Sequence, residues 1–387
     1  GYLPLVYTNV GGADTFESIA THTHVTGTAP SANTVLSAYG RLWAADTATN
    51  KTTVYFTDVL SGHKWSGGTS GNLNISSVFT QGGDEIVALG AHNGFLVVFC
   101  KDNIVIYSDG DNFQAGMTTS SLTLVEVIEG VGCIARDSVQ NTGEDILFLS
   151  TTGIRSLSRT IQEKSQPMRD ISKNVRDDVI QAINAENINL IKSVYSPINA
   201  FYLITFPTSQ QTFCFDTRAP LEDGSFRATI WPSVSPKGFL SEGSTLYFAE
   251  DNGIAEYKGY QDNGSKYGMA YYSNFFDLGM PNVSKIVKKL SATTVGATGQ
   301  TFALKIGYDY SPVYYGYTFT LEVGTVYEYG ITEYGIGEYS GSVLINEQKA
   351  STQGAGDIIQ IGFTADIDGA PMSLQKISLY AKQGKVL

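Results

Sequence analysis

Five times along the chain the same short unit returns: an apolar run, a tight polar turn and a second apolar run. The copies occupy residues 41–58 (RLWAADTATNKTTVYFTD), 94–110 (GFLVVFCKDNIVIYSDG), 145–159 (DILFLSTTGIRSLSR), 200–218 (AFYLITFPTSQQTFCFDTR) and 244–260 (STLYFAEDNGIAEYKGY). Their starts lie about 45–55 residues apart, the repeat length of a propeller blade rather than the spacing of strands in a sandwich. A lone hairpin is marginally stable in water, so each copy has to bury its apolar face against neighbours in a larger array. The turns carry suitable residues: Lys101-Asp102-Asn103, Thr152-Gly153 and Asp251-Asn252-Gly253.

At 387 residues the chain exceeds the usual size of one domain, which predicts two. Charged residues are 16% of the chain, against about 25% in an ordinary soluble domain, while Gly (41) and Tyr (23) are abundant. That balance suits a turn-rich all-β protein with aromatic residues on half-buried strand faces. The net charge of −12 argues against gripping a phosphate backbone, which needs Lys and Arg clusters. A ring of acidic subunits around DNA would instead repel it and let it slide. Ordinary solubility explains an acidic chain as well. The three cysteines, Cys100, Cys133 and Cys214, are odd in number and widely spaced, so neither a disulfide framework nor a zinc site is predicted. A reducing assembly compartment fits them best. No run approaches the roughly 20 apolar residues of a membrane span, and no signal-peptide pattern opens the chain. It begins at Gly1 without Met, which fits a processed or excised piece of something longer.

Residues 1–38 read as an opening segment with a candidate ring-closing strand, and residues 39–265 as a β-propeller of five or six blades. One α-helix is inserted at about residues 170–185, where Ile171, Val175, Val179 and Ile183 recur every four positions with Asp170 and Ser172 as candidate caps. Residues 266–387 read as a C-terminal β-sandwich or barrel, with strands expected near 271–278, 288–294, 302–310, 317–323, 358–365 and 374–380. Between them, residues 327–339 (YEYGITEYGIGEY) repeat a Glu-Tyr pair. Tyr329, Tyr334 and Tyr339 are candidate interface residues there, because amphipathic Tyr is common at interfaces. A plain surface loop is an equal reading. Lys285, Lys288 and Lys289 form the main basic cluster; it is too thin for a nucleic-acid reader, and Lys288 and Lys289 are kept as candidate interface residues.

Signals for chemistry are sparse. His22 and His24 form an H-x-H with only Glu17 upstream, and a Thr-rich surface loop is the favoured account. His63 and His92 stand apart from any nucleophile motif. Asp109-Gly110-Asp111-Asn112 resembles the start of a calcium loop without its remaining ligands, so a hairpin turn is favoured. No catalytic residue, metal site or cofactor is predicted. Thr57-Asp58 followed by Trp65, and Ser108-Asp109 followed by Phe113, suit blade turns in which Asp caps backbone amides and the ring packs between blades.

Several of these segments are similar to one family. Gly40-Arg41-Leu42-Trp43 followed by Val54-Tyr55-Phe56-Thr57-Asp58 resembles a blade of the tail nozzle, or tail tubular protein B, of short-tailed bacteriophages. Residues 194–227 (VYSP…FYLITFP…FCFDTRAPLEDGSFR), Phe276-Asp277-Leu278-Gly279 and residues 363–380 (FTADIDGAPMSLQKISLYA) resemble later parts of it. The likeness spans roughly residues 40–380 and consists of strand motifs, with no catalytic fingerprint. It implies a non-enzymatic virion protein, assembled in the host cytoplasm, that forms a six-fold homo-oligomeric ring. That ring would stack with the portal and a tubular-protein-A-like adaptor, with tail fibres as further partners. Viral DNA would be retained in the channel and then ejected through it without sequence-specific binding. Asp84, Glu85, Asp177 and Asp178 are candidate channel-facing acidic residues. The alternative is a glycan-binding or glycan-cleaving propeller tail protein, motivated by the Tyr and Trp content; a host interaction propeller is a third reading.

Overall fold

Long apolar runs such as FLVVFC, ILFLS and FYLITF do not alternate, so both faces of those strands have to be covered. Stacked sheets meet that requirement. The computed structural model describes residues 5–10, 13–22, 24–79, 82–109, 122–162, 170–232, 234–296, 299–321 and 344–384. The chain divides into two units, Gly1–Tyr257 and Lys258–Leu387.

The first unit opens with a two-stranded ribbon, β1 (Leu5–Val10) against β2 (Ala13–Ser18). Five antiparallel sheets follow, each built from consecutive strands in order. Sheet one is β3 (Ala32–Ala38), β4 (Arg41–Thr47), β5 (Thr53–Phe56) and β6 (Gly71–Asn74). Sheet two is β7 (Ile86–His92), β8 (Phe95–Cys100), β9 (Asn103–Asp109) and β10 (Leu122–Glu129). Sheet three is β11 (Gln140–Asn141), β12 (Ile146–Ser150) and β13 (Gly153–Ser156). Sheet four is β14 (Lys192–Ser196), β15 (Phe201–Phe206), β16 (Gln211–Asp216) and β17 (Arg227–Trp231). Sheet five is β18 (Gly238–Glu242), β19 (Thr245–Glu250) and β20 (Gly253–Glu256). All five repeated hairpins form, as the second and third strands of successive sheets.

The first strands neighbour one another in sequence order, β3 beside β7, β7 beside β11, β11 beside β14 and β14 beside β18. Buried clusters fill the gaps between consecutive sheets. Trp43, Val54 and Phe56 meet Leu96, Val98 and Tyr107 between sheets one and two. Phe99 and Ile106 meet Phe148 between two and three; Leu149 and Ile154 meet Tyr202 and Phe215 between three and four; Phe201 and Leu203 meet Leu246 and Phe248 between four and five. This face-to-face stacking of small meanders is propeller architecture, and the fold class is all-β.

Within the first unit the boundaries differ from expectation in four places. Residues 32–38, expected in the opening segment, supply the first strand of sheet one. The first unit ends at Tyr257 rather than near 265. The third hairpin copy runs into a short helix, α1 (Leu157–Gln162), because Asp145 takes the Ser158 backbone N–H at 2.9 Å and so fixes a helical start. The inserted helix α2 covers Arg176–Ala185, preceded by a 3-10 turn at Lys173–Val175. The expected apolar stripe packs inward although Ile171 and Val175 precede the helix: Ile171 and Val179 share a core with sheets three and four, Val175 and Ile183 pack against it, and Ala182 joins them. Asp170 and Ser172 do not cap it: Ser172 Oγ accepts the Ile154 N–H at 3.0 Å, and Asp170 lies 3.3 Å from Arg155 and 3.5 Å from Arg176.

The second unit is a β-sandwich. One sheet orders β21 (Tyr267–Tyr272), β27 (Ile359–Ile367), β23 (Thr301–Tyr308) and β24 (Tyr315–Thr320). In the other, β22 (Lys285–Gly296) is flanked by β25 (Leu344–Ser351) with β26 (Ala355–Gly356), and by β28 (Met372–Gln383). Leu290 and Ala292 from the second sheet meet Phe302, Leu304 and Phe363 from the first. The strand expected at 271–278 sits earlier, at Tyr267–Tyr272.

Candidate functional site

The segment from Gly40 to Thr69 converges on one polar hub. Gly40 sits at φ +68, and the following Arg41 is buried. Arg41 donates to the carbonyls of Thr57 (2.6 Å) and Thr69 (2.9 Å) and to Thr69 Oγ1 (2.9 Å), with its guanidinium 5.5 Å from the Phe56 ring centre. Asp58 accepts from the Thr69 amide (2.9 Å), the Thr69 hydroxyl (2.6 Å) and Lys64 (2.7 Å). The Lys64 and Thr69 donors hold its carboxyl well below the usual carboxylate range. Gly68, at φ +62, leaves no room for a side chain: a Cβ there would lie 2.4 Å from Asp58 Oδ2. The hub ties the hairpin of sheet one to the loop before β6, so the motif is architectural.

The predicted acidic residues separate. Asp84 is buried, its oxygens taking the amides of Glu85 (2.7 Å) and Asp102 (2.9 Å) and the Asn103 side chain (2.9 Å), so it holds a turn. Glu85 pairs with Lys101 at 2.6 Å. Asp177 and Asp178 are exposed in the first turn of α2, where negative charge also suits the helix dipole.

The lysines separate too. Lys285 is 1% exposed and donates to the carbonyls of Met280 and Asp357. Lys289 lies 5.3 Å from the Tyr380 ring centre, and Lys288 is exposed. Tyr329, Tyr334, Tyr339 and residues 110–112 of the calcium-like turn lie outside the described residues.

The three cysteines are buried free thiols, and burial pushes those of Cys133 and Cys214 up to about 12. His22, His24 and His63 gather, with ring centres 5.5 and 6.4 Å apart and Glu17 3.6 Å from His22. Sequence spacing hid the third member, since it arrives from the loop after β5. Among the described residues no three His, Cys, Asp or Glu are arranged to hold a metal ion. No helix among them is long and apolar enough to cross a membrane.

Among the described residues of the first unit, the exposed apolar side chains include those on the ribbon and on the outer face of sheet five. On the ribbon, Leu5 is 69% exposed, Tyr7 54% and Phe16 71%, with Tyr7 and Phe16 paired across the strands at 5.1 Å. On sheet five, Phe239, Phe248 and Ala255 turn towards sheet four, while the opposite face presents Leu240 (57%) and Ile254 (79%).

The chain matches no family profile and no curated protein sequence. Among solved structures it is similar to PorZ of Porphyromonas gingivalis (14% identity, TM-score 0.30), covering 57% of this chain and 24% of that one. A protein from Lactobacillus plantarum (10%, TM-score 0.33) is covered to 80% by 70% of this chain. Hsv2 of Kluyvelomyces marxianus (13%, TM-score 0.31) is covered to 59% by 58% of this chain. The chain thus spans about a quarter of the length of PorZ.

Proposed function

We propose that this chain is a structural subunit of the nozzle of a short phage tail, assembled head-to-tail into a ring through which DNA passes. The observation that carries the reading is the pair of unlike apolar surfaces, the ribbon face with Leu5, Tyr7 and Phe16 and the outer face of sheet five with Leu240 and Ile254. Contiguous exposed apolar surface marks an interaction site. Two dissimilar patches on one subunit suit heterologous contacts, which close into a ring when the rotation allows. The resemblance of the Gly40–Asp58 segment to the tail nozzle family supports reading the ring as a nozzle, and the charge of −12 suits a wall that does not hold DNA. Asp177, Asp178 and Glu85 are the exposed acidic candidates for that wall, while Asp84 is buried.

Light scattering on the purified chain, alone and mixed with portal and adaptor rings, tests this, with electron microscopy of any ring. Six-fold rings are the expected result. A protein that stays monomeric beside both partners overturns the proposal.

A further inference from the structure

On the outer face of the first sandwich sheet, two glycines and two tyrosines are fitted to one another. Along β23 and β27, Lys305 pairs with Gly362 and Gly307 with Gln360, so these four positions form a square on the face turned away from the core. The glycines occupy one diagonal, and each receives a ring. A Cβ on Gly362 would meet Tyr272 at 2.6 Å, and one on Gly307 would meet Tyr314 at 2.8 Å. The other diagonal locks the rings in place. Lys305 donates to the Tyr272 hydroxyl at 3.1 Å and lies 5.8 Å from its ring centre. The Tyr314 hydroxyl donates to Gln360 Oε1 at 2.5 Å, and Gln360 Nε2 donates to the Ser273 carbonyl at 2.8 Å. The ring centres are 5.4 Å apart with planes at 58°, which makes an open trough rather than a flat stack. Tyr272 is exposed and Tyr314 half-buried, so ring surface fixed in advance still faces water.

We infer that this trough is a saccharide-binding site, taking a pyranose unit of a polysaccharide. A pyranose has an apolar C–H face that packs on an aromatic ring and a rim of hydroxyls for nearby polar groups. Here the Lys305 ammonium, with two donors left beyond its bond to Tyr272, and the remaining N–H and lone pair of the Gln360 amide lie beside the rings. Holding the rings in place beforehand removes the ordering cost that weakens flexible sites. A single-stranded nucleic acid also stacks on aromatic rings, but it needs a basic groove for its backbone, and this chain is strongly acidic. The site goes beyond the nozzle reading and is read out separately from ring assembly.

The test is native electrophoresis of the full chain through gels containing dextran, hydroxyethylcellulose or the O-polysaccharide of a lipopolysaccharide, with fluorescent oligo(dT) as a separate probe. Retardation in at least one gel is expected, and Tyr272→Ala or Tyr314→Ala should weaken it about tenfold. Tyr272→Phe, which keeps the ring, should stay within about threefold. Gly316 pairs with Lys305 and a Cβ there has open space, so Gly316→Arg should block the trough without entering the core. That variant keeps the test valid if an alanine variant fails to fold. No retardation in any gel, retardation unchanged in Gly316→Arg, or binding of oligo(dT) in place of the polysaccharides overturns the assignment.

Discussion

Arg41 and Asp58 show what single polar side chains do in this fold. Removing the Arg41 guanidinium strands the buried Thr57 carbonyl and the half-buried Thr69 carbonyl, so Arg41→Ala should cost about 2–3 kcal/mol in urea denaturation. Asp58 adds a pH dependence. Its folded pKa lies below the unfolded value of about 4, so its stabilisation is present above that pH and is lost as pH falls further. The stability gap between the wild type and Asp58→Asn should therefore narrow between about pH 5 and pH 2.5, read from melting temperatures. The sequence pointed to Asp58 as a turn cap but gave no sign that Asp84 and Lys285 are buried. An acid beside another acid reads as surface, and the Asp357 carbonyl that Lys285 meets is 72 positions away. Such partners leave no local trace.

At the scale of elements, what was legible is what the apolar runs encode. β8, β12 and β15 are continuous apolar stretches because sheets cover both faces, and their hairpins were read correctly. The first strands were missed because β11 is two polar residues and β18 is largely exposed. α1 was missed because a side chain outside it, Asp145, fixes its start; Asp145→Ala should cost about 1 kcal/mol. A close approach of backbone gives a sharper test. A Cβ on Gly132 would lie 2.0 Å from the Lys101 carbonyl oxygen, in the turn between β8 and β9. Gly132→Ala should destabilise by about 2–3 kcal/mol, while Gly268→Ala, with open space around it, should stay within about 0.5 kcal/mol.

At the scale of the whole molecule, the open ribbon and the outer face of sheet five predict variants that separate assembly from folding. Phe16→Asp and Ile254→Asp should each abolish rings in light scattering while leaving the protomer's stability within about 0.5 kcal/mol, since both side chains already face water. The aromatic trough of the sandwich was not legible, because its glycines and tyrosines come from separate strands and loops. Strand order also bears on how the chain acquires its shape during synthesis. Each sheet of the first unit is complete before the next begins, so its contacts are local and each can form as the ribosome releases it. Among the described residues of the second unit, β21 pairs with β27 alone, and β22 takes its partners from β25, β26 and β28. The early strands of the sandwich therefore stay as unpaired edges until β28 has been made.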